Sequence, residues 1–513
     1  MSYADPPTDT SLDELRRNFD LDVLTPNGET KTSASTINNF EIVDFTAPAT
    51  GQYTIRATRN TSGDKGNEPA GNLLGIAWVK LATYLPEVRR NHDGWSSAIY
   101  VRNDGHTNWQ GKVTFFNQDG TFKNETSTTL SPNAVWSGAT PANDNWVGTA
   151  VVSGSDDISV VIRNDKTGLA TLDNGISAGG ATDPAWGQAG TVLYVPVLYN
   201  NIFGGYNSTI VIQNPNATQA TLMPYLYGRS GYADYPQSNL LLGPGNQQIL
   251  PVGPLVNNTV WVGSYDVTAD RPVAMRLLEI KGSGEGRSFN ATAAGRWLVY
   301  VPAAYRNAFD FITGLVIQNL DSSSSTNVTL RYCERTVTNP ATCPTQVVTV
   351  AARRSVGINL NSAPMPDGWT GSISLQSSSS SFPLAVAVTN ANSVGGYDFS
   401  ATGYGSKLVL LPRAAKSAGG RTTGYTVRNV SGLNNVTVNA YYYTGSTGLL
   451  VGGAPQRTFT LNSAQTDGYF QGNDTFLPTP WEGSIVLEAT ADIVVVMRED
   501  TTGTTAAYNG VSW

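Results

Sequence analysis

The stretch WEGSIVLEATADIVVVMRED (Trp481–Asp500) decides how the chain is read, because its phrase occurs four times. WVGTAVV starts at Trp146, WVGSYDV at Trp261 and WTGSISL at Trp369, a period of about 110 residues. Each Trp-x-Gly unit is followed by another apolar run: DISVVIRN, RPVAMRL, PLAVAVTN and DIVVVMRE. A tryptophan entering a strand supplies a large part of a small core, and a glycine two residues on shares its face and leaves room for the ring or a crossing strand. Trp146, Trp261, Trp369 and Trp481, with Gly148, Gly263, Gly371 and Gly483, are therefore read as the core of four repeats. Tryptophans that stack on sugar rings would instead have to lie on the surface.

Two further markers keep step. TYLPEV, LYVPVL, VYVPAA and VLLPRA carry Pro86, Pro196, Pro302 and Pro412. YVRN, VIQN, VIQN and TVRN end at Asn103, Asn214, Asn319 and Asn429, each 17 or 18 residues past its proline. Those asparagines read as turn-capping residues. About seven short strands per repeat, with turn signals every 8 to 15 residues, is the pattern of an antiparallel sandwich of immunoglobulin-like size. Stacked solenoid repeats run to about 20–50 residues, so the period excludes them. The expected architecture is all-β: an N-terminal partial sandwich over residues 1–78, then immunoglobulin-like sandwiches over 79–189, 190–295, 296–405 and 406–513. Short linkers, as where GGYDFSATGYG passes into SKLVLLP, lead one to expect a semi-rigid rod of beads, each with its own core.

The 513 residues hold 52 Gly, 27 Pro and 23 Tyr but only 14% charged side chains, which suits short strands and turns. Net charge is −7 with no basic run, which argues against nucleic acid and anionic membrane as partners. No apolar stretch approaches the roughly 18 residues of a membrane helix. MSYADPPTDTSL carries neither the basic nor the apolar region of a signal peptide, leaving a cytoplasmic chain or a processed piece of an exported one. Cys333 and Cys343 flank an Asn-Pro turn between two apolar runs, where a hairpin would set them opposite each other as a disulfide. Export to the cell exterior is favoured on that ground.

The front end carries no repeat marker. DLDV followed by Pro26-Asn27-Gly28, and then FEIVDFTAPATGQYTIR, resembles the closing half of the pre-peptidase C-terminal jelly-roll domains of secreted subtilisin-like proteases. The resemblance covers about 60 residues and implies an accessory module without a catalytic residue. The polar PPTDTSLDELRRN stands where that family's preceding strands should be, so the sheet is expected to be incomplete and open to a strand from elsewhere. The four repeats resemble tandem repeats of exported bacterial surface proteins, which implies export.

Chemistry is sparse. Gly175–Gly179 matches G-x-S-x-G, but His92 and His106 both lie upstream, and NGIS mirrors the NGVS that ends the last repeat. Gly282–Gly286 lacks the Lys-Ser/Thr of a phosphate loop and reads as a hairpin tip. Two histidines do not complete a zinc site. Asp20 and Asp22 are the only candidates for calcium, and no cofactor is expected. Sequons at Asn60, Asn124, Asn207, Asn290 and Asn435 permit glycosylation but recur no more often than composition dictates. These features lead to the expectation of an extracellular, non-enzymatic structural protein: a cell-surface stalk or filament subunit that self-associates head to tail through its N-terminal segment. The alternative is a carbohydrate- or surface-binding accessory region of a protease-like precursor, presenting Trp95, Trp109, Trp186 and the Tyr441–Tyr443 cluster.

Overall fold

The computed structural model describes residues 2–3, 18–25, 27–34, 41–43, 53–60, 74–75, 82–141, 145–154, 158–178, 188–282, 284–392 and 395–512. The protein is all-β, with antiparallel sheets and, among the described residues, no helix longer than four residues. It divides into two compact units, Met1–Lys80 and Leu81–Trp513.

In the first unit Asn18–Leu24 is the middle of three strands, paired with Thr30–Ser33 on one side and Thr54–Asn60 on the other. Gly28, in the left-handed region at φ 81°, closes the turn by donating its N–H to Thr25 at 3.0 Å. The polar stretch PPTDTSLDELRRN, residues 6–18, lies outside the described residues except for Asn18, which begins the strand Asn18–Leu24.

The second unit holds the repeats. In the first, the strands are Ala82–Arg90 (β1), Ser96–Asn103 (β2), Trp109–Asn117 (β3), Phe122–Leu130 (β4), Val135–Ala139 (β5), Trp146–Gly154 (β6), Ile158–Lys166 (β7) and Leu169–Asn174 (β8). They form two facing sheets, β5-β2-β7-β8 and β1-β6-β3-β4, with Ile176–Ser177 added to the free edge of β1. The core between them is built from Leu85, Val88, Ile99, Val101, Trp109, Val113, Phe115, Trp146 and Val152. In the second and fourth repeats the equivalents of β6 and β7 run on as one bent strand, Trp261–Lys281 and Trp481–Thr501, which passes from one sheet to the other.

The prolines fall at β-bulges. In every repeat the pairing of the β1-type strand with the Trp-x-Gly strand slips a residue there: between Leu85 and Val88, Val195 and Leu198, Val301 and Ala304, and Leu411 and Ala414. Proline has no N–H to give the ladder, so a bulge is where it costs least.

The arrangement of the repeats corrects the rod. The last full strand of each repeat, β8, Glu285–Asn290, Gly395–Ser400 and Thr504–Asn509, packs against its counterparts in the two neighbouring repeats, so the fourth repeat closes on the first. The result is a ring with pseudo-fourfold symmetry and these four strands around its axis. The cores are not separate either. Tyr100, Val161 and Leu172 of the first repeat share one core cluster with the fourth, Val496 and Ala507 of the fourth share one with the third, and Val316 and Ala387 of the third share one with the second. The physical reason lies in runs such as DIVVVMRE and LAVAV, which are apolar at consecutive positions. A strand with one wet face alternates; these are buried on both faces, one inside the sandwich and one in the seam to the next repeat.

Candidate functional site

The repeated side chains turn out to be structural keystones. All four tryptophans are buried, and a Cβ on Gly148, Gly263, Gly371 or Gly483 would stand 2.5 to 2.7 Å from the ring of its own tryptophan. The same atom would collide with a carbonyl of the neighbouring strand, from Phe116, Tyr227, Cys333 or Tyr443. Asn103, Asn214, Asn319 and Asn429 are completely buried and make one network four times over. Asn429 donates its side-chain amide to the carbonyls of Leu433 (2.7 Å) and Leu461 (3.2 Å), and its Oδ1 accepts the N–H of Ser431 at 3.0 Å. Asn103 does the same with Thr107, Leu130 and Gly105. Each ties the loop after its strand to the end of a later strand.

Cys333 and Cys343 are disulfide-bonded with Cα atoms 4.9 Å apart. Arg331 pairs with Thr345 in the adjoining hairpin, and that register continued outward sets the two cysteines opposite each other.

Each seam uses its own chemistry. Between the first and second repeats, Arg276 reaches Glu87 (3.1 Å) and Asp173 (2.8 Å), all three side chains buried. Burial raises the Asp173 pKa, a shift that Arg276 and Ser288 oppose and Glu87 reinforces. Gln247 donates to the bulge carbonyl of Pro86 at 2.6 Å. Between the second and third, Gln318 donates to Asp266 at 2.6 Å and Arg353 pairs with it at 3.2 Å. Burial pushes the Asp266 carboxyl up to about 7 against both donors. At the same seam Asp398 is pushed up to about 6, again by burial, and bonded Glu279 lies well above the usual glutamate range. Between the third and fourth, Thr466 donates to the bulge carbonyl of Pro302 at 3.0 Å. Arg428 donates to Ile373 at 2.5 Å with its guanidinium 5.1 Å from the Tyr300 ring, and burial lowers its pKa to about 10. The closing seam joins Arg102 to Ser484 (3.0 Å), Arg163 to Glu499, Arg421 to Asp165 (3.1 Å) and the N–H of Val135 to Gly445 (2.6 Å).

At the axis a cavity of about 30 Å³, room for little more than one water, is lined by residues of all four repeats. A larger cleft of about 420 Å³ opens at the closing seam.

The remaining sequence candidates fall as follows. Asp22 accepts from Thr32 (2.7 Å) and pairs with Arg56 (2.7 Å), and those hydrogen bonds, Thr32 first, hold its carboxyl below the usual range. Asp20 lies two residues along the same strand. Among the described residues no three His, Cys, Asp or Glu side chains converge as metal ligands. Ser177 of the G-x-S-x-G match stands in a strand paired with Thr83, whereas a nucleophile elbow needs a turn between strand and helix. Lys281 pairs with Glu285 across the Gly282–Gly286 hairpin. His92 contacts Asn145 at 3.1 Å in a loop, and His106 is exposed. Asn207 and Asn435 are exposed and Asn124 is half-buried, but Asn290 spends its amide on the ring axis and is no open acceptor. Asn60 is in the Thr54–Asn60 strand, and nothing is described of its side chain.

The aromatic platform is corrected. Trp95 and Trp109 are buried, 2% and 0% exposed: Trp109 fills the sandwich core across Gly111 and Gly154, and Trp95 is covered by Arg89, Lys166 and the backbone at Gly286 of the second repeat. Trp186 lies outside the described residues. Tyr442 is in the core, while Tyr441 and Tyr443 are half-buried and Tyr443 carries the Arg102 guanidinium 5.8 Å from its ring. Sequence reasoning missed the seam residues Arg276, Asp266, Arg428 and Glu499. The available signal was a charged residue inside an apolar run, as in VAMRLLE and VVMRED.

No protein-family model matches the chain, and a search of curated proteins finds no similar sequence.

Proposed function

We propose that the protein is an extracellular, non-enzymatic structural protein whose four-repeat ring is a rigid head, and whose N-terminal segment is the joint through which copies associate at a cell surface or in a filament. The observation that carries this reading is the use made of buried polar groups. Arg276, Glu87, Asp173, Arg163, Glu499 and Asp266 are spent on bonds between repeats, where a hydrolase would hold such groups ready in an open pocket. The disulfide supports export, since such bonds persist in oxidising surroundings.

The joint is supported by the first unit. Its sheet has three described strands, and Leu24 and Ile55 on them are 44% and 37% exposed. A small sheet with wet apolar side chains gains by adding a strand. Deleting residues 1–80, up to the boundary of the compact ring unit, is the test. The full chain assembles and the deleted chain stays monomeric by light scattering; polymers that survive the deletion refute the joint.

A further inference from the structure

The four seams are built from the same strand positions, which carry small residues at the closing seam and glycines in the third (Gly357, Gly314) and fourth (Gly468, Gly424) repeats, and larger ones only in the second. In register, Ser137 of β5 corresponds to Ile249 of Gln247–Pro251, and Ala98 of β2 to Thr209 of Tyr206–Gln213. At the seam between the second and third repeats the position of Ser137 is Gly357, and there the Arg229 guanidinium fills the space, 2.7 Å from where a Cβ would stand. Opposite Ser137 the fourth repeat offers Ala418, Gly419, Arg421 and Glu482, and the cleft of about 420 Å³ is what remains open. That volume lies within the roughly 300–1,000 Å³ of small-molecule sites, which favour interfaces between structural units.

The lining selects a chemistry. Arg421 is 29% exposed and Glu482 45%, one donor and one acceptor facing the same space with no net charge between them. Behind them the ion pairs close on themselves, Arg413 with Glu482 and Glu499, and Arg421 with Asp165. An ionic ligand would find no uncompensated partner. A ligand of several hydroxyl groups would find a carboxylate to accept from it, a guanidinium to donate to it, and the hydroxyl of Ser137 to do either. Ala98 and Ala418 offer it apolar flanks.

We propose that the cleft between the first and fourth repeats binds a neutral saccharide unit, with Glu482 and Arg421 as its polar contacts and Ser137 and Ala98 as the residues that leave it room. This goes beyond the structural reading, and its failure leaves the deletion test of that reading untouched.

The experiment is isothermal titration with saturation-transfer NMR on the full chain, using glucose, galactose, N-acetylglucosamine, cellobiose, maltose and lactose as probes. Ser137→Ile and Ala98→Thr install the residues of the second repeat, and each melt is recorded. The expected result is saturable binding of at least one sugar. It weakens at least tenfold in Glu482→Gln and in whichever filled variant keeps the wild-type melt. No saturable binding by any of the six sugars, or binding undiminished in both filled variants, overturns the proposal.

Discussion

Asn290 donates its side-chain amide to the backbone carbonyl of Asn174 across the first seam, at 2.7 Å. Asn174 gives its own amide to Asn509 at 2.9 Å, and Asn509 gives its amide to Ser400 at 3.0 Å. The same bond thus runs from repeat to repeat around the axis and stops at Ser400, whose side chain lacks the amide. An intramolecular hydrogen bond of this kind contributes about 1 kcal/mol. Asn509→Ala should therefore lower the unfolding free energy by about that much, and Ser400→Asn should raise it by a similar amount by completing the girdle. Urea melts of the two variants beside the wild type check both signs.

The buried asparagines give a sharper loss. Asn429→Ala leaves the carbonyls of Leu433 and Leu461 without their donor and should cost about 2–6 kcal/mol, from two buried polar groups each worth about 1–3 kcal/mol. Asn429→Asp, almost isosteric, should be worse, because it points a carboxylate at the same carbonyls. A thermal melt in which Asp is tolerated better than Ala contradicts the donor role.

Trp369→Ala should cost about 3–5 kcal/mol as a buried large-to-small change. Gly371→Ala adds one methyl group, yet its Cβ has no space between the Trp369 ring and the Cys333 carbonyl. Its loss should approach that of the tryptophan variant, and a near-neutral Gly371→Ala by calorimetry would show that the ring is free to shift.

Stability should depend on pH through the second seam. The Asp266 carboxyl is raised from its ordinary 3.8 to about 7, so between those values the folded chain holds a proton that the unfolded chain has released. Its contribution is fully present below about pH 4 and is lost as the pH rises through 7, and Asp398, raised to about 6, acts in the same direction. Asp266→Asn should flatten the profile between pH 4.5 and 7.5, by up to about 4 kcal/mol for a three-unit shift. Denaturant midpoints across that range decide it; an unchanged slope in the variant assigns the dependence elsewhere.

What was legible in the sequence follows from what repeats. Trp481, Pro412 and Asn429 recur because each performs a task internal to its own repeat: filling a core, sitting at a bulge, tying down a loop. The ring was not legible as a pattern because, apart from the asparagine bonds at the axis and the bonds to the Pro86 and Pro302 carbonyls, its seam contacts do not repeat. Arg276 and Glu87 meet at the first, while Val197 shares a core with Ala387 at the second and Ala303 with Val496 at the third. One place in the fold carries an ion pair once and apolar contacts twice, so no motif marks it. The unbroken apolar runs did record a second buried face, without naming the partner that covers it. The candidate cleft was less visible still, because its small residues Ser137 and Ala98 have larger counterparts only in the second repeat and glycines in the third and fourth.

Closure of the first repeat on the fourth is the claim on which the seams, the axis and the cleft all depend. Negative-stain electron microscopy of the purified full chain tests it most directly. The account predicts class averages with a four-lobed ring around a central axis. An extended row of four lobes, with the first and last far apart, would contradict it.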